Sequence, residues 1–323
     1  MLAGYGIDVQ TRRLGSSGLS VSRVGLGTML WGHTVSAEEA RDHLELFVAR
    51  GGTLVDTAHR YGEGVAEELL GSMIGDVVPR DDIVVCTKAG LSQRGEQRVV
   101  DASRGRLMSQ LDLSLRRLGT DHVDLWLVHA YDDQTPMEET ASALAWAYQS
   151  GRARYVGASN FTGWQVTRLY SLLERSSVPL ICDEVEYSLV NRTAEHEVVP
   201  AAEALGFGVL AWSPLGRGVL SGKYRHGVPA GSRATSARFP GFVQRFLDEQ
   251  SRTVAGAVVT AAEGLGLRPA EAALAWVRDR PGVASALVGA RTTAQLKEAL
   301  DAEDVRLPAQ IVTALEDVSS TRA

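Results

Sequence analysis

Apolar and polar positions along the 323-residue chain switch between two periods. Short apolar runs, rich in Val, Leu and Gly, recur at Val24–Gly27, Thr53–Val55, Ile83–Thr87, Asp124–Val128, Tyr155–Ala158, Leu180–Asp183, Gly208–Ala211 and Ala286–Val288. Such runs read as strands buried on both faces. Between them, apolar residues return every three to four positions, the helical period: Ala37–Ala49, Ala66–Met73, Ala102–Leu118, Met137–Gln149, Gly163–Leu173, Ala194–Leu205, Thr253–Gly264 and Pro269–Asp279, with Thr292–Leu300 and Pro308–Val318 after the last strand. Ser36, three residues before Glu39, reads as the N-cap of a capping box, and Gly51, Gly119, Gly151 and Gly206 close their helices. Ahead of this alternation, Thr11–Leu14 and Leu19–Ser22, joined by Gly15-Ser-Ser-Gly18, read as a β-hairpin.

Eight strand–helix units in series predict an α/β fold, a closed (β/α)₈ TIM barrel with an N-terminal hairpin and extra helices after strands seven and eight, as one domain over residues 1–323. The competing open, doubly wound sheet calls for a glycine-rich fingerprint after its first strand. The first strand here runs into Gly25-Leu-Gly27-Thr-Met-Leu-Trp31-Gly32, with no GxGxxG and no ribose-binding acid at the required distance. One long gap, Pro214 to Ser285, holds a loop rich in Gly and Arg and an extra helix, and insertions of that size on a barrel serve a ligand.

Charge and composition narrow the function. A net charge of −6 argues against nucleic acid or an anionic membrane as partner. No apolar run approaches the roughly 20 residues that span a bilayer, and Met1–Gln10 has neither the basic head nor the apolar stretch of a signal peptide. Two cysteines, Cys86 and Cys182, fall inside strands and read as free, buried thiols, which fits a cytoplasmic location. The histidines have no metal-like spacing, so metal-assisted hydrolysis is the weakest enzyme reading.

Four residues stand where strands become loops: Asp56 and Tyr61 after the second strand, Lys88 after the third, His129 after the fourth. Barrel enzymes gather catalytic groups at that end of the strands. Singly, each has an ordinary reading as a solvated, packed or anchoring residue; jointly, accident is a poor account. The segments Asp56-Thr-Ala-His-Arg-Tyr61-Gly and Leu127-Val-His129 resemble the aldo-keto reductases, closest in pattern to the potassium-channel β-subunit-like bacterial branch, and the resemblance extends over nearly the whole chain. It implies an NADPH-dependent oxidoreductase reducing an aldehyde or ketone to an alcohol, with Tyr61 as general acid. The chemistry agrees. Tyr can protonate a developing alkoxide if a cation eases its phenolate; Lys88 supplies the cation, Asp56 holds Lys88 charged, and His129 positions the carbonyl oxygen.

The same resemblance places NADP(H) in the second half of the chain. Ser159, Asn160 and the sixth-strand Glu184 match carboxamide contacts, and Trp212 matches the aromatic stacked on the nicotinamide. Ser213, Pro214, Leu215, Gly216 and Gly218 match a pyrophosphate loop; Lys223, Arg233 and Arg291 match a 2′-phosphate grip; Gly289, Gln295 and Glu298 complete the adenosine end. Two positions depart from the family: Glu184 stands where Gln is usual, and Ala299 where Asn contacts adenine. An ionised Glu184 can accept from the carboxamide NH₂; the other reading puts it in an ion pair inside the barrel. A small-molecule carbonyl substrate is expected against Trp31, Tyr61 and His129, with specificity from His33, Tyr131-Asp-Asp133 and Arg238–Phe242; the acidic pair would disfavour anions. The alternative implied by the channel branch is a cofactor-binding regulatory subunit acting through a protein partner.

Overall fold

A computed structural model describes residues 9–94, 97–225, 227–229, 232–235 and 241–320. Eight parallel strands close into a barrel in the order β3 (Val24–Gly27), β4 (Leu54–Asp56), β5 (Val84–Ala89), β8 (Val123–Val128), β9 (Ala153–Ser159), β10 (Leu180–Glu186), β11 (Gly208–Trp212) and β12 (Val283–Val288). Helices α1 (Ala37–Ala49), α2 (Val65–Met73), α3 (Arg104–Leu118), α4 (Met137–Gln149), α5 (Gly163–Glu174), α6 (Val198–Leu205) and α8 (Pro269–Arg278) alternate with the strands; α7 (Glu249–Leu265) precedes α8, and α9 (Thr293–Asp301) and α10 (Ala309–Ser319) follow the last strand. The predicted (β/α)₈ barrel is the fold observed.

Side chains pointing into the barrel form a compact core of Leu54, Cys86, Leu125, Leu127, Cys182, Leu210 and Leu287. The hairpin β1 (Thr11–Arg13) and β2 (Ser20–Ser22), paired Thr11 to Ser22, adds Leu14 and Val21 to that core. It lies at the N-terminal end of the strands, where Ser16 N–H donates to Gly206 O at 2.8 Å just ahead of β11. Gly157 is required at mid-barrel because a Cβ there would fall within 3 Å of the Cys182 backbone and sulfur and of Leu127. Both cysteines are buried and free.

Several strands run further than the apolar pattern predicts. β9 continues to Ser159, β10 to Glu186 and β11 to Trp212, because the inward positions near the strand ends are polar or aromatic yet still strand. A second hairpin, β6 (Leu91–Arg94) and β7 (Gln97–Val100), stands outside the barrel and was not predicted. Helix Ala194–Leu205 breaks into a 3₁₀ turn, Thr193–Glu195, and α6; between them Glu197 leaves helical geometry and its carboxylate accepts the Gly163 N–H at 3.0 Å. The capping box is only half formed. Ser36 accepts from Glu39 N–H, but the Glu39 carboxylate crosses to the first turn of α9, accepting from Thr293 N–H and Oγ1. No helix among the described residues is long and apolar enough to cross a membrane.

Candidate active site

Strand alternation, not local loop chemistry, assembles the site. Asp56 ends β4, Lys88 sits on β5 two residues beyond the core thiol Cys86, and His129 follows β8 with its N–H on Ala89 O at 2.8 Å. Lys88 is fully buried; its Nζ lies 2.5 Å from Asp56 Oδ1, 3.0 Å from Thr57 O and 3.2 Å from Glu184 Oε2. Burial works against this charge, but Asp56 and then Glu184 outweigh it and hold the lysine pKa well above the ordinary value. The ammonium is 5.1 Å from the Tyr61 ring centroid, and the Tyr61 and His129 rings meet edge to face at 5.9 Å. Burial raises the Tyr61 pKa well above its usual value, with Lys88 pulling the other way. Burial, followed by the charges of Lys88, Arg98 and Arg60, pushes His129 well below 6.5, so its imidazole is neutral at pH 7. All four predicted residues come together.

The loop that presents Tyr61 is braced from α3. Arg117 donates to His59 O at 3.0 Å, to Glu63 O at 3.2 Å and to the buried Glu67 at 3.2 Å, and Glu67 also accepts from Thr87 Oγ1 at 2.6 Å. Gly64, at φ 106°, leaves room for that guanidinium, which a Cβ would strike.

From Tyr61 one continuous groove crosses the C-terminal end of the barrel to α9, lined by Gly27, Asn160, Glu184, Trp212, Ser213, Pro214, Leu215, Gly218, Lys223, Gly289, Arg291, Gln295, Glu298 and Ala299. Gly27 and Gly289 turn bare backbone toward it. Asn160 donates to His129 O at 3.0 Å and accepts the Trp212 indole N–H at 3.0 Å. Behind that indole, Arg217 lies 5.4 Å from the ring and forks onto Glu186 at 2.7 and 2.9 Å. Neither Arg217 nor Glu186 was anticipated; the signal was present in a lone Arg between Gly216 and Gly218, and in Glu186 two residues beyond Glu184. Among the described residues, non-glycine positions with positive φ are Glu63, Asn160, Ser177, Ser213 and Arg217, and all but Ser177 line the groove. Strained backbone of this kind collects where a ligand must be met.

Two of the expected cofactor residues lie off the groove. Ser159 and Gly216 are buried behind the groove wall, Ser159 donating to Glu184 O at 3.1 Å. Gln295 accepts Arg291 N–H at 3.0 Å, and Glu298 pairs with Arg268 at 3.6 Å. The Arg233 side chain, and most of Arg238–Phe242, lie outside the described residues. Trp31 corrects the expected substrate wall: it is 1% exposed and packed into the core, and Met29, Leu30 and His33 line that side instead. Asp132 corrects the expected acidic mouth. It is buried, and Ala102 N–H, Gln134 N–H and Thr135 Oγ1 donate to it at 2.9, 3.0 and 2.7 Å, so its charge is spent on its own loop.

Glu184 is the site's departure, and the structure engages it with Lys88 on the barrel axis. Asp56, Cys86 and Glu184 each bring a ligand atom within 4.8 Å of the others, a grouping with metal-like closeness, but the Lys88 ammonium is the cation that its two carboxylates share. Burial, then Asp56, pushes Glu184 up to about 8. Between its ordinary value near 4.3 and about 8, the native state keeps a proton that the unfolded chain releases. Stability is therefore lost as pH rises through this window. Glu184→Gln removes the titration, so the variant should gain thermal stability over wild type toward pH 8–9, with the gap closing toward pH 5. Melting curves across that range check this; parallel curves would mean Glu184 does not titrate there.

Charged and hydroxyl groups converging at the C-terminal rim of a parallel barrel, beside a groove long enough for an extended ligand, are the mark of a barrel enzyme. A model of the aldo/keto reductase family matches residues 23–320, and the chain belongs to that family of oxidoreductases, which work with nicotinamide cofactors. It is 35% identical over 308 residues to the L-glyceraldehyde 3-phosphate reductase of Escherichia coli O157:H7, covering 92% of this chain and 88% of the relative. It is 34% identical over 315 residues to the uncharacterized oxidoreductase YrpG of Bacillus subtilis, covering 94% of each. A probable voltage-gated potassium channel subunit beta of Oryza sativa subsp. japonica is 35% identical over 322 residues, covering 97% and 98%.

Proposed function

We propose that the protein reduces the carbonyl of an aldehyde or ketone to an alcohol with NADPH, Tyr61 delivering the proton. The observation that carries this is the stack at the groove's closed end: the Lys88 ammonium 5.1 Å from the Tyr61 ring, and Tyr61 edge to face with His129 at 5.9 Å. The groove residues fit a nicotinamide dinucleotide, with the half-buried Trp212, bare glycine backbone, Lys223 by Gly218, and Arg291 just ahead of the α9 N-terminus. When bound, the cofactor supplies a hydride to the carbonyl carbon.

The chain's own residues do the rest. Neutral His129 donates a hydrogen bond to the carbonyl oxygen and sets it by Tyr61 Oη. Tyr61 passes its proton to that oxygen as the C–O π bond gives way, and Lys88 stabilises the phenolate until solvent returns the proton. Asp56, joined by Glu184 where it is ionised, keeps Lys88 charged despite burial. Asn160 and Arg217 fix the Trp212 ring, one through its N–H and the other across its face. NADPH consumption over aldehydes, ketones, quinones and keto-sugars tests the reading; no turnover with any carbonyl would overturn it. The alternative, a cofactor-binding regulatory subunit, has behind it only the likeness to a channel subunit, whereas the assembled four residues support an enzyme.

NADPH should bind more tightly than NADH, because Lys223 and Arg291 both line the groove. Charge-assisted contacts contribute roughly 1.5–3 kcal/mol each, so the ratio of dissociation constants should reach about 10² or more. Fluorescence titration with both cofactors measures it, and equal constants would remove the 2′-phosphate from the reading.

A further inference from the structure

The groove beside Tyr61 is lined by four arginines that the proposed reaction leaves unused, Arg60, Arg98, Arg106 and Arg117, with His33 and His59 beside them. Two of these arginines have structural work. Arg117 braces the Tyr61 loop through Glu67, and Arg106 donates to Ser92 Oγ at 2.9 Å, tying β6 to α3. Arg98, on β7, differs. It is exposed at the mouth, and its guanidinium makes no ion pair or hydrogen bond with a described residue. It lines the groove together with Arg60, Tyr61 and His129. Partial burial and then Arg60 lower its pKa, and Arg98 and Arg60 both help depress His129. Among the described carboxylates lining the groove near Tyr61, Asp56 is engaged with Lys88, and Glu63 is exposed. Asp132, the acid expected to oppose anions here, is turned into its own loop.

We propose that this wall is an anion subsite, and that the preferred carbonyl substrate carries a phosphate or carboxylate held by Arg98 with Arg60 while its carbonyl lies between Tyr61 and His129. The proposal rests on the reductase reading and adds the substrate's chemical class. Arginine suits the task, because its planar fork gives two parallel donors to either oxyanion. Arg98 is carried by a hairpin outside the barrel, so it can select the substrate without contributing to proton or hydride transfer.

Matched substrate pairs test it: glycolaldehyde against glycolaldehyde phosphate, and butanal against succinic semialdehyde. Wild type should favour the anionic member of at least one pair by tenfold or more in kcat/KM at low ionic strength, the pair showing whether phosphate or carboxylate is preferred. Added salt should shrink that preference. Arg98→Gln should cut the charged-to-neutral ratio at least fivefold, and Arg98→Lys should restore the larger part. A ratio near one in wild type, or one unchanged in Arg98→Gln, overturns the subsite while leaving the reductase reading intact. If no carbonyl is reduced at all, calorimetric titration of glycerol 3-phosphate and of glycerol into the protein saturated with NADP still decides it. Binding of the phosphate alone, weakened tenfold in Arg98→Gln, supports the subsite; equal or absent binding overturns it.

Discussion

Tyr61→Phe is expected to lower turnover by about 10² to 10⁴-fold while changing NADPH affinity by less than about threefold, the usual share of a general acid. The substitution removes one hydroxyl and leaves the ring, so the edge-to-face contact with His129 survives. Burial holds the Tyr61 hydroxyl protonated, which makes it a proton source, and the Lys88 charge lowers the cost of losing that proton during reaction. Single-turnover hydride transfer measures the effect with product release excluded. Wild-type rates would take Tyr61 out of the chemistry and leave His129 as the nearest proton donor to examine.

Lys88→Met is expected to cost both stability and rate. The ammonium is the shared partner of Asp56 and Glu184, at 2.5 and 3.2 Å, and all three side chains are buried. Removing one member of a buried ionic group strands the others, a loss of about 3–5 kcal/mol. In a protein of this size that is a drop on the order of 10 °C in the melting midpoint at pH 8. The deficit should shrink toward pH 5, because Glu184, whose carboxyl burial pushes up to about 8, is then neutral and loses nothing with the cation. Turnover should fall on the order of 10³-fold, the cost of losing a charge aimed at a developing anion. Melting curves at both pH values, with kcat at a temperature where the variant is folded, separate the two losses. An unchanged midpoint at pH 8 would show that Asp56 and Glu184 do not share the lysine's charge.

Barrel, hairpin and the four strand-end residues were legible in the chain because each rests on a local pattern. Buried parallel strands read as short apolar runs, and Asp56, Lys88 and His129 occupy the same place relative to three of them. What escaped depends on contacts distant in sequence. Glu39 looked like a capping-box partner for Ser36, but its carboxylate reaches Thr293, which sequence spacing cannot show. Trp31 was assigned to a substrate wall because it follows the first strand; the turn that follows folds it inward. Among the described side chains of the β6–β7 hairpin only Leu91 is buried, so it carries almost no hydrophobic periodicity, and Arg98 was missed with it. Glu184 was visible as a departure, with two readings left open. Strand register settles its neighbour, since period two along β10 aims Cys182 and Glu184 at the axis where Lys88 lies.

The placement of the β6–β7 hairpin bears on how such a protein can be altered. Its two strands pair only with each other and contribute no hydrogen bond to the barrel ladder, whereas Asp56, Lys88 and Glu184 are locked in strands that also form the core. Beyond the buried Leu91 and the Ser92 that ties it to α3, the hairpin is therefore a replaceable cassette. Exchanging it for a hairpin of similar length with different charges would redirect substrate choice with little loss of fold, while comparable changes on β5 or β10 would be felt throughout the interior. Variation under selection should take the same route, diversifying the appendage faster than the staves.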